Sequence, residues 1–149
     1  MVEPLERPLS SYIHTQFVTA DENSSVAEAV KVLQSKDVEI ILVTSSNGGK
    51  YVGIVTDSDI LQKVVMKGED SDLVFLKSIM TSPIITLPSS STVRQAIQLM
   101  RTHKIKHLPV TDSTNDNDDN EKKIIGTVTQ QYLAEIIRIA VVEKTFRSY

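Results

Sequence analysis

The chain repeats itself. Val26 and Val93 stand 67 residues apart, and the same shift lays Leu9 on Leu76, Ser11 on Ser78, Thr19 on Thr86, Ser24 on Ser91 and Ala29 on Ala96. It also sets Leu33 opposite Met100 and Val43-Thr44 opposite Val110-Thr111. Beyond that point the shift becomes 73, because DSTNDNDDNEKK is a longer connection than SSNGGK, and Gly53, Val55 and Thr56 fall on Gly126, Val128 and Thr129. A register held through apolar and turn positions alike marks a duplicated unit. Half of a 149-residue chain is too small to bury an adequate core by itself, so the two copies are expected to pack sheet to sheet as one pseudo-twofold module.

Each copy reads β-α-β-β-α. Phe17-Val18-Thr19 and Ile84-Ile85-Thr86 are β-branched or aromatic runs, hence strands. Val26, Ala29, Val30 and Leu33 then follow helical spacing, as do Val93, Ala96, Ile97 and Met100. Both helices open on a capping box, Ser25-Val-Ala-Glu28 and Thr92-Val-Arg-Gln95. Two strands come next in each copy, Ile40–Thr44 with Tyr51–Thr56 and His107–Thr111 with Ile124–Thr129; their nearly unbroken apolar character predicts burial on both faces. Second helices are predicted over Ser58–Met66 and Gln131–Lys144. The fold class is therefore α/β (α+β), with a first repeat over 1–66, a partly helical linker over 67–78 and a second repeat over 79–149.

Composition narrows the functional classes. There is no Cys, which excludes a disulfide scaffold, a thiol nucleophile and a thiolate metal site. Sixteen Lys and Arg against 19 Asp and Glu give a net charge of −3, which disfavours a general nucleic-acid surface. The opening residues lack the pattern of a signal peptide, and apolar runs such as Ile40–Val43 and Ile139–Val142 are too short to span a bilayer, so a cytoplasmic protein without membrane contact is expected. His14, His103 and His107 do not make a metal site, and Asp112–Glu121 resembles a calcium loop only in composition: it reads as a mobile hairpin tip. No GxxxxGK, GxSxG or acid–base pair with catalytic spacing is present, so an enzyme is not expected.

One segment stands out chemically. Thr56-Asp57-Ser58-Asp59 lies where a strand turns into a helix, a place where backbone N–H groups lack partners and favour an anion. Asp59 could accept hydrogen bonds from both hydroxyls of a ribose, and Thr56 could offer its hydroxyl to a phosphate. The same two residues also suit a helix cap in which each satisfies the other's backbone. Position alone favours the cap.

Four strings, in order and duplicated, resemble the cystathionine-β-synthase (CBS) domain family, specifically its tandem pair, the Bateman module. They are Gly53-Ile-Val-Thr56-Asp-Ser-Asp59-Ile, Ser78-Ile-Met-Thr-Ser-Pro83-Ile-Ile-Thr86, His107-Leu-Pro109-Val110 and Gly126-Thr-Val-Thr129. The resemblance covers nearly the whole chain, as in a stand-alone member. It implies a regulatory module that binds AMP, ADP or ATP and signals to a partner protein, pairing as a homodimer. By family position, Thr56 and Asp59 would hold ribose and phosphate, and Lys106 and His107 would face the phosphates. Val55, Thr15, Phe17 and Val18 would line the base, while Gln131 stands where some relatives carry a cation. In the second potential site Thr129 is kept but Tyr132 replaces the carboxylate, and Glu39 would repel phosphate. Alternatives within the same resemblance are an S-adenosylmethionine binder and a constitutive dimerisation or docking scaffold with empty clefts.

Overall fold

A computed structural model describes residues 4–36, 38–112 and 123–147. The stretch Asp112–Glu121, expected as a hairpin tip, lies outside the described residues after Asp112. Two short 3-10 turns, Pro4–Glu6 and Leu9–Ser11, precede β1 (Val18–Asp21), α1 (Val26–Lys36), β2 (Ile40–Thr44) and β3 (Tyr51–Thr56). There follow α2 (Asp57–Ile60), which runs into a π-helical turn at Leu61–Val65, and α3 (Leu76–Ile79). The rest is β4 (Leu87–Pro88), α4 (Val93–His103), β5 (His107–Thr111), β6 (Ile124–Thr129) and α5 (Gln130–Arg147). The α/β reading with two β-α-β-β-α copies is the observed architecture, with one three-stranded sheet per copy.

The duplication is visible in the hydrogen-bond registers. In both sheets the first strand runs parallel to the second, an arrangement that needs a crossover, here α1 and α4. Ala20 pairs with Val43, and Leu87 with Val110, a shift of 67 at both partners. Val43 pairs with Gly53 and Val110 with Gly126, and both ladders slip at the next residue, between Val43 and Thr44 and between Val110 and Thr111. The four predicted hairpin strands have the expected bounds. The predicted strand at Ile84–Thr86 does not form there: β4 is only Leu87–Pro88, because the parallel ladder with β5 begins at Leu87. Nor is Ser58–Met66 a regular helix. After one α turn the backbone widens, and the N–H of Met66 donates to the carbonyl of Leu61 at 2.9 Å.

The chain divides into two compact units, residues 16–85 and residues 1–15 with 86–149. In the 16–85 unit, Val26, Ala29 and Leu33 of α1 pack with Val18, Ile41, Val43, Val55, Val64, Leu76 and Ile79 in one buried cluster. At about 0.025 kcal/mol per Å² of apolar surface removed from water, side chains such as Leu76 and Val55, both 0% exposed, contribute on the order of 2 kcal/mol each. The Glu28 N–H donates to Ser25 Oγ at 3.1 Å, one half of the expected box. Two further N–H groups at that helix start donate to the chain after α2: Val26 to the carbonyl of Val74 and Ala27 to that of Ser71.

The 1–15/86–149 unit has a matching construction. The N–H of Leu9 donates to the carbonyl of Ser91, as that of Leu76 donates to the carbonyl of Ser24 in the other unit. His14 and Thr127 exchange backbone hydrogen bonds, as Thr81 and Ile54 do. Each pre-strand segment therefore completes the unit built mainly from the other repeat. The sequence division at 66 and 79 follows the repeats; the contact division follows this exchange. Two glycines make room for it. A Cβ on Gly126 would stand 2.6 Å from the carbonyl oxygen of His14, and one on Gly53 would stand 2.7 Å from Met80 Sδ and 2.9 Å from the carbonyl oxygen of Thr81.

Candidate functional site

β3 delivers Thr56 in extended conformation (φ −112°, ψ 166°) to the start of α2. Its Oγ1 accepts the Asp59 N–H at 3.3 Å. Asp59 Oδ2 in turn accepts the Thr56 N–H at 3.0 Å and the Thr56 hydroxyl at 3.2 Å. The reciprocal cap is thus formed, and such a cap stabilises a helix start by about 1 kcal/mol. It also fixes the carboxylate. Asp59 is pinned at its own helix start with a side chain only 14% exposed.

A residue the sequence reading passed over completes this arrangement. Lys63, one turn on, places Nζ 3.0 Å from Asp59 Oδ1. The same Nζ donates to the carbonyl oxygen of Ile79 at 2.8 Å. Lys63 thus offsets the Asp59 charge from within the same helical stretch. Its i,i+4 spacing from Asp59 was legible as a surface pair; its reach to Ile79 was not. A carboxylate offers about four acceptor positions, and Thr56 and Lys63 occupy three of Asp59's. A cis-diol presenting two donors must therefore displace either the rotatable Thr56 hydroxyl or Lys63.

The other expected site residues fall in different settings. Val18 and Val55, placed by family position on the base pocket, are 2% and 0% exposed and belong to the hydrophobic cluster. Their side chains are committed to the core. Phe17 is half-buried, just before β1. Thr15 is exposed and belongs to the other unit.

In the 1–15/86–149 unit, Lys106 is exposed and His107 half-buried at the start of β5. The Lys106 carbonyl accepts the Gln130 N–H at 2.8 Å, and Gln131 is exposed in the first turn of α5. Arg101, Lys104, Lys106 and Gln130 surround a cavity of about 390 Å³ floored by Ile97, Met100 and Ile105. Lys104 ends α4 in the left-handed conformation (φ 56°, ψ 44°), which separates His103 on the helix from His107 on the strand.

The second strand-to-helix corner keeps the cap and changes the chemistry. The Tyr132 N–H donates to Thr129 Oγ1 at 3.1 Å. Where Asp59 presents a carboxylate, Tyr132 presents a ring, 5.0 Å from His14 and 6.4 Å from Tyr12 between centroids. Those spacings belong to aromatic packing. Glu39, the expected acidic neighbour, is exposed and lies in the 16–85 unit.

Comparison with known proteins agrees with this construction. The CBS domain description matches residues 9–66 and again 76–139. An uncharacterized protein of Methanopyrus kandleri is 26% identical over 134 residues, which is 89% of this chain and 64% of that protein. The chain spans less than two thirds of the length of the first curated relatives it matches. Among solved structures, an uncharacterized conserved protein from Pyrococcus horikoshii superposes with a TM-score of 0.73 at 27% identity, covering 90% of this chain and 94% of that one. A CBS domain pair solved in complex with 5′-methylthioadenosine and S-adenosyl-L-methionine has a TM-score of 0.70 at 24% identity, covering 88% and 95%. With both repeats matched and the duplicated architecture in hand, the chain belongs to the CBS domain family.

Proposed function

We propose that this CBS domain pair is a regulatory module for an adenosine-containing ligand, taken up through the ribose at Thr56 and Asp59, and that AMP, ADP or ATP is that ligand. The observation that carries the reading is the pinned carboxylate of Asp59, capped by Thr56 and with a side chain 14% exposed. Such a group suits a neutral diol, because its oxygens are already held in place and the ligand need order little. Proteins of this family are generally regulatory rather than catalytic. The partner that would receive the signal is a second protein, and the module would pair as a homodimer. The exposed Ile139, Val141 and Val142 of α5 support that pairing.

S-adenosylmethionine is the second reading. The related pair bound to it and to methylthioadenosine shows that protein taking adenosines without phosphate, and the neutral Gln131 suits the same class. A docking scaffold with empty clefts is the third, favoured by the aromatic packing at Tyr132. A thermal-shift screen separates them. Ligand at a hundredfold excess over Kd stabilises by about 2.7 kcal/mol, a shift of several degrees at this size. The nucleotide reading expects AMP, ADP or ATP to raise Tm for the parent and not for Asp59→Ala. A response confined to S-adenosylmethionine and methylthioadenosine selects the second reading, and a Tm that ignores the whole panel selects the scaffold.

A further inference from the structure

We propose that Lys63 is a positioning residue that couples the Asp59 carboxylate to the Ile79–Thr81 segment, so that a ligand taking Asp59 competes with Lys63 and changes that segment's hold on β3. The ligand arm of this proposal rests on the ribose reading above; the coupling itself does not.

The path is a closed ring of short contacts within residues 16–85. Lys63 Nζ lies 3.0 Å from Asp59 Oδ1 and 2.8 Å from the carbonyl oxygen of Ile79. Two residues further on, Thr81 and Ile54 exchange backbone hydrogen bonds at 2.9 and 3.1 Å. Met80 and Thr81 also sit against Gly53 closely enough to exclude a Cβ there. Ile54 is two residues before Thr56, whose N–H donates to Asp59, and this closes the ring. Lys63 is the only charged side chain in it besides Asp59. It holds a carboxylate with one side of its ammonium and a neutral carbonyl with the other. Removing the carboxylate takes away the stronger of the two partners, since hydrogen bonds to a charged group exceed those to a neutral one.

The lysine also has somewhere to go. It lines a cavity of about 480 Å³ together with Lys67, Glu69, Leu73, Val74, Ser78 and Ile79. Glu69 offers a carboxylate on that same cavity.

The other repeat supplies the control. At the corresponding positions Asp59 becomes Tyr132, Lys63 becomes Ile136, Ile79 becomes Tyr12 and Thr81 becomes His14. There the helix start meets the pre-strand segment through rings, Tyr132 against Tyr12 and His14. The same two pieces of backbone are joined in both halves. In one the joint is an ion pair that a hydroxyl-bearing ligand can contest, and in the other it is aromatic packing with no charge to contest.

The test is native-state hydrogen exchange on the full chain with Lys63→Met, Asp59→Asn and the double variant. Asp59→Asn keeps an oxygen for the Thr56 N–H while removing the charge that holds Lys63. Each single variant is expected to speed exchange at the Thr81 and Ile54 amides about fivefold, the scale of one partly exposed ion pair with its hydrogen bond. The double variant is expected to exchange no faster than the faster single, and the amides of His14 and Thr127 are expected to stay unchanged. Unchanged exchange in either single variant, or effects that multiply in the double, overturns the coupling. In the ligand arm, Lys63→Met should bind methylthioadenosine about fivefold tighter than the parent, because a competitor for Asp59 is gone. Weaker or equal binding overturns the competition, a result that a merely structural lysine would produce. If no adenosine ligand binds the parent, the ribose reading falls, and the exchange arm still decides the coupling.

Discussion

The two strand-to-helix corners of this protein share a backbone and differ in what they present. Thr56 and Thr129 both cap the following helix through Oγ1, accepting the N–H three residues on at 3.3 and 3.1 Å. From there the halves diverge: Asp59 and Lys63 stand in one, Tyr132 and Ile136 in the other. A duplicated fold keeps its caps, its ladder slips and its two tight glycines because they are conditions of folding. The third residue after the cap is a carboxylate in one copy and an aromatic ring in the other.

The largest effects should fall on what the halves share. Gly126→Ala forces a Cβ to within 2.6 Å of the His14 backbone carbonyl, which only backbone movement can relieve. A cost of about 3 kcal/mol is expected, read as a lower urea midpoint with an unchanged m-value. At Gly53 the nearest atom is the flexible Met80 sulfur, 2.7 Å away, so Gly53→Ala should cost about 2 kcal/mol. An equal cost at both positions would show that the Thr81 carbonyl, 2.9 Å from the Gly53 Cβ position, sets the limit instead.

Asp59→Ala comes next and should separate the corners. If Asp59 accepts the ribose diol as proposed, affinity for an adenosine ligand should fall about thirtyfold by calorimetry, together with about 1 kcal/mol of stability from the broken cap. Tyr132→Leu should leave that affinity unchanged and lower stability by about 1 kcal/mol through the lost ring contacts with His14 and Tyr12. If Tyr132→Leu weakened the ligand instead, the two corners would not be functionally distinct.

Much of this was legible in the residues. β2, β3, β5 and β6 are short apolar runs bounded by turns, and local pattern alone places their ends. The caps at Thr56 and Thr92 are local as well, since donor and acceptor lie three residues apart. What escaped was long-range. No periodicity reveals that the segment before each first strand completes the other unit, because Leu9 and Leu76 look alike wherever they pack. The two-residue β4 lies where its ladder with β5 forms, at Leu87 and Pro88, and not at the β-branched run Ile84–Thr86. Val18 and Val55 carried family positions on a pocket while their side chains were needed in the core. Lys63 was hidden because its second partner, the Ile79 carbonyl, is sixteen residues away in sequence.

The smallest expected effect lies at the turn after β1, where the halves also differ. Asp21 Oδ1 accepts the Asn23 N–H at 2.8 Å and the Ser46 hydroxyl at 2.7 Å. These bonds hold its carboxyl below the ordinary carboxylate range, the Asn23 N–H being the larger cause and Ser46 the second. The second repeat has Pro88 at that position. A depressed pKa stabilises the fold above the ordinary carboxylate range, and the contribution disappears as pH falls through the depressed value. Asp21→Asn should therefore lower Tm slightly at pH 7 and not at all in strong acid. A difference that persists in acid would assign the effect to shape rather than charge.

Calorimetric titration of the full chain with AMP and with S-adenosylmethionine, repeated on Asp59→Ala and Tyr132→Leu, tests the central claim most directly. The expected result is one ligand per chain for the parent and for Tyr132→Leu, with affinity lost in Asp59→Ala. Two ligands per chain, or undiminished binding by Asp59→Ala, would contradict it.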